Sequence, residues 1–180
     1  VVVGLIIGIS KLIGNVCSKD DAVPVLVKES LNESKNPVEE PEIDEEFIEI
    51  NEYSRPGDKL TNVNNIVVHY TGNPGTTAMH NRDYFESLAT SHEAYASSHF
   101  VVGLEGEIIQ CIPLDEIAYC SNDRNNDTIA IEVTHRDDSG KFNEASYDSL
   151  VKLCAWLCYE YNLDSEDIIR HYDVTGKVCP

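Results

Sequence analysis

The sequence predicts an α/β fold. A short apolar run, NIVVHY at Asn65–Tyr70, has the length and β-branched content of a buried strand. Further on, Tyr147, Leu150, Val151, Cys154, Leu157, Cys158 and Tyr161 recur at helical spacing. Segments of these two kinds alternate along the chain, which implies helices packed around one sheet. The 180 residues suffice for one domain with a real core plus an appendage, and no repeat of roughly 20–50 residues points to a solenoid.

The elements follow in order. The strand at Asn65–Tyr70 runs into Thr71-Gly72-Asn73-Pro74-Gly75, which is turn chemistry. A helix is expected over Ala78–Ser91, with Thr77 as its N-cap and Tyr84 and Leu88 sharing a face. Residues 98–104 and 107–112, split by Glu105-Gly106, read as a hairpin. Another strand is expected over 127–134, then the long amphipathic helix ending near Tyr161. A short strand over 168–171 precedes a terminal loop.

Residues 1–16 (VVVGLIIGISKLIGNV) are apolar, with Lys11 interrupting them. They read as the remnant of a signal h-region or a membrane anchor, with a buried helix as the alternative, giving a first segment of residues 1–19. Residues 20–52 carry twelve acidic side chains against Lys28 and Lys35, with X-Pro steps at Asn36-Pro37 and Glu40-Pro41. Such a stretch buries too little apolar surface to offset chain entropy, so an acidic disordered spacer is expected. Ile43, Phe47, Ile48 and Ile50 are the residues in it able to pack onto the domain, which is expected to occupy 53–180.

The formal net charge is −19. A nucleic-acid binder needs a cationic surface to displace counterions, so no nucleic-acid partner is expected. Of the six cysteines, Cys154 and Cys158 lie four apart on a helix and read as small core hydrophobes. Pairing of Cys111 with Cys120 is left open.

The chemistry concentrates at the C-terminus. His171 and Cys179 stand eight apart across a loop containing Gly176, so both can turn toward one point. Imidazole nitrogen and thiolate sulfur are good zinc ligands, and a hydrolytic site needs three protein ligands with one position left open. His69, at the end of the apolar strand and beside a turn, is the natural third. Taken singly, a strand-end His is more often a hydrogen-bonded structural residue, and a lone Cys an inert small one. On the strand over 127–134, Ile129, Ile131 and Val133 face one way, so Glu132 projects from the opposite face.

VVHYTG, followed far downstream by His171, Lys177, Cys179 and Pro180 in the pattern H-x₅-K-x-C-P, resembles the N-acetylmuramoyl-L-alanine amidase family. That family includes phage lysozyme-like amidases and the peptidoglycan recognition proteins. SHFVV at 98–102 and IAIE at 129–132 are similar to further family segments, and the resemblance covers roughly 53–180. It implies a central mixed sheet flanked by helices, with Zn2+ in a groove held by His69, His171 and Cys179. It implies hydrolysis of the bond between N-acetylmuramic acid and L-alanine, with a peptidoglycan or muropeptide substrate met outside the cytoplasm, facing the cell wall. Glu132 would then be the acid/base residue and Lys177 the group that stabilises the oxyanion. A monomer is expected.

One departure concerns a tyrosine that some family members carry before the residue matching His99; here it is Ser98. This favours the subset that relies on Glu, with His99 lining or supporting the site rather than ligating. His80, His92 and His135 read as surface residues, and Asp173 as a turn residue or a group that orients a ligand. Two rival readings remain: a module of the same fold that binds muropeptide without cutting it, and a cysteine hydrolase built on Cys179 and His171.

Overall fold

The computed structural model describes residues 38–180. The expectations for residues 1–19, and for the spacer up to residue 37, therefore lie outside the described residues. Six strands form one mixed sheet: β1 (Asp44–Glu45), β2 (Asn65–Tyr70), β3 (Phe100–Val102), β4 (Ile108–Gln110), β5 (Thr128–Val133) and β6 (Ile168–Arg170). Their spatial order is β1-β4-β3-β5-β2-β6, and β3 with β4 is the antiparallel pair. Among the described residues, three helices accompany them: α1 (Ala78–Ser91), α2 (Glu144–Tyr161) and α3 (His171–Thr175).

Each face of the sheet has its own core. Ile66 and Val68 of β2, Phe100 and Val102 of β3, and Ile129, Ile131 and Val133 of β5 pack with Leu150, Leu153, Cys154, Trp156 and Leu157 of α2. The residues between them in the strands face α1: Val101 and Ile109 pack with Ala78, Phe85, Cys111 and Ile112. Because successive strand side chains alternate, His69 and Glu132 leave the sheet on the α1 side. Truncating a fully buried leucine such as Leu153 or Leu157 would cost about 2–5 kcal/mol.

The helices begin and end as their local chemistry dictates. Thr77 accepts from the His80 amide at 3.1 Å and starts α1 as expected. Asn143 accepts from the Ser146 amide at 3.0 Å and starts α2. Asn162 ends α2 in the left-handed region at φ 53°, a conformation asparagine tolerates better than most residues. The buried face of α1 carries Phe85 and Leu88, not Tyr84, which is exposed; Phe85 follows Ala78 and Asn81 at true helical spacing. On α2, Tyr147 and Val151 are likewise exposed.

The folded unit includes residues upstream of the expected boundary at Tyr53. β1 pairs in parallel with β4, Asp44 against Ile109. Beyond it, the Glu46 and Ile48 amides donate to the carbonyls of Gln110 and Cys111, each at 3.0 Å, and Ile48 is fully buried. Arg82 donates to the carbonyls of Glu46 and Phe47, and Arg55 to that of Ile48. One buried isoleucine and these arginine ties hold a stretch whose composition alone reads as unfolded. Among the described residues, no helix is long and apolar enough to cross a membrane.

Candidate metal centre and catalytic cleft

Parallel strands β5, β2 and β6 lie side by side, and their C-terminal ends define the site. Ligands in α/β sheets gather at such ends. His69 sits near the end of β2, and its register partner on β5 is Glu132. His171 follows directly after β6, at the first position of α3. The expected terminal loop thus begins as a short helix. Gly176 ends it at φ 77°, a conformation that favours glycine, and the chain reverses. The Tyr172 amide then donates to the Cys179 carbonyl at 2.9 Å, which folds Lys177 and Cys179 back over the strand ends.

His69, His171 and Cys179 each offer a ligand atom within 4.8 Å of the others, and all three are buried. Cys179 Sγ lies 3.8 Å from His69 Nδ1. Two such ligands on one tetrahedral zinc ion stand about 3.6 Å apart, from bonds of about 2.3 and 2.05 Å. His171 Nε2 donates to Asn122 Oδ1 at 2.8 Å, which leaves Nδ1 as the nitrogen free to ligate. Two imidazoles and a thiol at these separations fit a zinc ion.

The electrostatics agree with that use. Burial, with His171 and Lys177 nearby, pushes the His69 pKa down to about 3, so its imidazole is neutral and able to ligate at pH 7. His171 is lowered too, by burial and then by Lys177. Burial raises the Cys179 thiol, so at neutral pH it stays protonated until a cation beside it draws off the proton. The ring against the sulfur is that of His69, not of the His171 that the cysteine-hydrolase reading pairs with Cys179.

These residues open onto a cleft of about 550 Å³ whose lining includes Glu132, Lys177, Cys120, Tyr95 and Tyr119. Burial pushes the Glu132 carboxyl up to about 7, against the lowering effects of a Cys120 hydrogen bond and of Lys177. Lys177 is exposed and makes no ion pair among the described residues. All five site residues expected from the sequence therefore line one cleft.

A model of the N-acetylmuramoyl-L-alanine amidase family matches residues 59–180. The chain belongs to that family. This amidase-family chain is 36% identical over 148 residues to N-acetylmuramoyl-L-alanine amidase CwlL of Bacillus licheniformis, a match that takes in 74% of the chain and 40% of the relative. It thus spans less than half the length of that curated relative. Its fold is similar to the catalytic domain of XlyA, with TM-score 0.67 and 29% identity over 78% of this chain and 90% of that one. It also resembles the Drosophila peptidoglycan recognition protein SD in fold, with TM-score 0.58 and 13% identity over 68% of this chain and 78% of the other.

The other residues that the sequence singled out in this amidase-family chain have these places. Asp173 does not touch a ligand: its carboxylate accepts from the Arg170 backbone and guanidinium, fixing the turn into α3. His135 is buried, not exposed; its Nδ1 donates to the Asp137 carbonyl at 2.7 Å and its ring packs on Tyr70. Cys111 and Cys120 are both free, Cys111 in the α1-side core and Cys120 in the cleft. His99 is structural, its Nε2 donating to the Glu116 carbonyl and its Nδ1 accepting from the Ala130 amide. Ser98 is buried and bonded to the Phe100 carbonyl, outside the cleft lining. Asn122 and Cys120 were not found from sequence: the contact of Asn122 with His171 spans 49 residues, and nothing local marks either residue.

Proposed function

We propose that this chain hydrolyses the amide bond between N-acetylmuramic acid and L-alanine in peptidoglycan, using a zinc ion held by His69, His171 and Cys179. The observation that carries the reading is the convergence of these three donors beside Glu132 at the floor of one cleft. When bound, zinc supplies Lewis acidity, polarising the scissile carbonyl and easing deprotonation of a neighbouring water. Glu132 takes the water proton and delivers it to the departing alanine nitrogen. A carboxyl pushed up to about 7 can both accept and release that proton near neutral pH. Lys177 presents its ammonium toward the cleft, where negative charge develops on the carbonyl oxygen. The substrate class places the action outside the cytoplasm, at the cell wall.

The assay is release of L-alanine-terminated peptide from purified cell wall, identified by mass spectrometry. Wild type is expected to release it. Binding of wall fragments without any release would mean a recognition module instead.

A further inference from the structure

The Glu132 carboxylate is held at a single point. Its Oε2 is buried without a hydrogen-bond partner, and among the described residues no cationic side chain pairs with it. The hydrogen bond it does make is at Oε1, from the Cys120 thiol across 3.7 Å. A thiol with the ordinary pKa of about 8.5 keeps its proton at pH 7, and burial raises this one. In its working form the carboxylate has no proton to give, so Cys120 is the donor. A terminal carboxylate otherwise turns broadly about its last bond, and one fixed donor removes much of that freedom.

The donor has a firm mount. On one side of it the Tyr119 amide donates to Ser97 Oγ at 2.9 Å. The Cys120 and Ser121 amides both donate to Asn125 Oδ1, at 3.1 and 2.6 Å. The same loop carries Asn122, which accepts from His171. One segment, residues 119–125, thus reaches both a metal-binding histidine and the base on β5.

We propose that Cys120 is a positioning residue for the hydrolysis: its thiol fixes the rotation of the Glu132 carboxylate, so that the base meets the attacking water in one orientation. This rests on the role given to Glu132 above. Cys120 acts through Glu132 and exchanges no proton with the substrate.

The test measures cleavage of a soluble muropeptide by zinc-loaded wild type, Cys120→Ala, Glu132→Gln and the double variant. Cys120→Ala is expected to lower kcat about three- to tenfold with KM and zinc content unchanged, the size of effect one hydrogen bond carries. In the Glu132→Gln background the same substitution is expected to change the residual rate by less than about twofold, since an effect that passes through Glu132 disappears with it. Infrared absorption reads the contact without any turnover, because hydrogen bonding weakens the S–H bond and lowers its stretching frequency. The band missing from Cys120→Ala is expected at higher frequency in Glu132→Ala than in wild type. A wild-type kcat in Cys120→Ala would overturn the proposal, as would an equal loss in both backgrounds. Loss of zinc with Cys120 would make the thiol a ligand and overturn it too. Wild type that binds wall fragments but cuts nothing contradicts the function proposed above. In that protein the S–H band alone decides: a shift supports the hold of Cys120 on Glu132, and an unmoved band overturns it.

Discussion

Glu132 stands directly across from His69 on the neighbouring parallel strand, so the two side chains leave the same face of the sheet side by side. The pairing fixes a carboxylate next to an imidazole without any loop having to hold them. Both strands are interior: β5 and β2 lie between β3 and β6.

Replacing Glu132 by Gln keeps the volume and removes the proton acceptor. Peptide release is expected to fall about 10²–10³-fold, with zinc content and fold retained, since loss of one catalytic group of this kind costs about 3–4 kcal/mol. In wild type the working form is the carboxylate. Its pKa is pushed up to about 7, so the rate is expected to fall as pH drops through an acid limb at or below that value, a nearby dication shifting it downward. Rate–pH profiles of both proteins check this: the limb belongs to wild type alone.

Asn122 acts on the site through His171. Its side chain accepts from His171 Nε2 at 2.8 Å while its backbone sits at φ 54°. Asn122→Gly keeps that backbone conformation accessible and deletes the hydrogen bond. Zinc affinity is expected to drop about 10–100-fold, as for other groups that orient a metal-binding histidine. Competition against a chelator measures it, and Asn122→Ala should lose at least as much.

Arg55 and Glu116 form a two-pronged ion pair at 2.7 and 3.1 Å, with side chains only 15% and 9% exposed. The hydrogen bond from Arg55 holds the Glu116 carboxyl below its ordinary value of 4.5. A depressed carboxylate pKa adds stability above the unfolded value, and that stability is lost as pH falls through the folded one. Urea unfolding from pH 7 toward pH 3 should therefore show wild type losing stability faster than Arg55→Ala. At pH 7, Arg55→Ala is expected to cost about 2 kcal/mol, since it leaves the Glu116 carboxylate with only the 3.7 Å contact to Lys59 and frees the Ile48 carbonyl.

Much of this was legible in the sequence. The apolar run at Asn65–Tyr70, the Thr77 cap and the alternation around Glu132 each report local rules, and β2, α1 and β5 formed where those rules put them. His69, His171, Lys177 and Cys179 could be picked out because their spacing resembles a family motif. Long-range partners were not legible. Nothing near Asn122 marks it as the acceptor for His171, and nothing near Cys120 marks it as a cleft residue. Ile48 is one of four apolar residues in the acidic stretch able to pack onto the domain, but composition does not say which of them is buried; that depends on one side chain finding a place against α1 and β4. His135 reads as exposed because its partner, the Asp137 carbonyl, belongs to a backbone turn that side-chain chemistry does not reveal.

The central claim is that His69, His171 and Cys179 together hold one zinc ion, and metal analysis of the purified protein tests it most directly. After dialysis against a weak chelator, wild type is expected to retain about one zinc per chain, and His69→Ala, His171→Ala and Cys179→Ala each essentially none. Glu132→Gln and Lys177→Ala are expected to keep it. Full zinc occupancy in the Cys179→Ala protein would contradict the assignment.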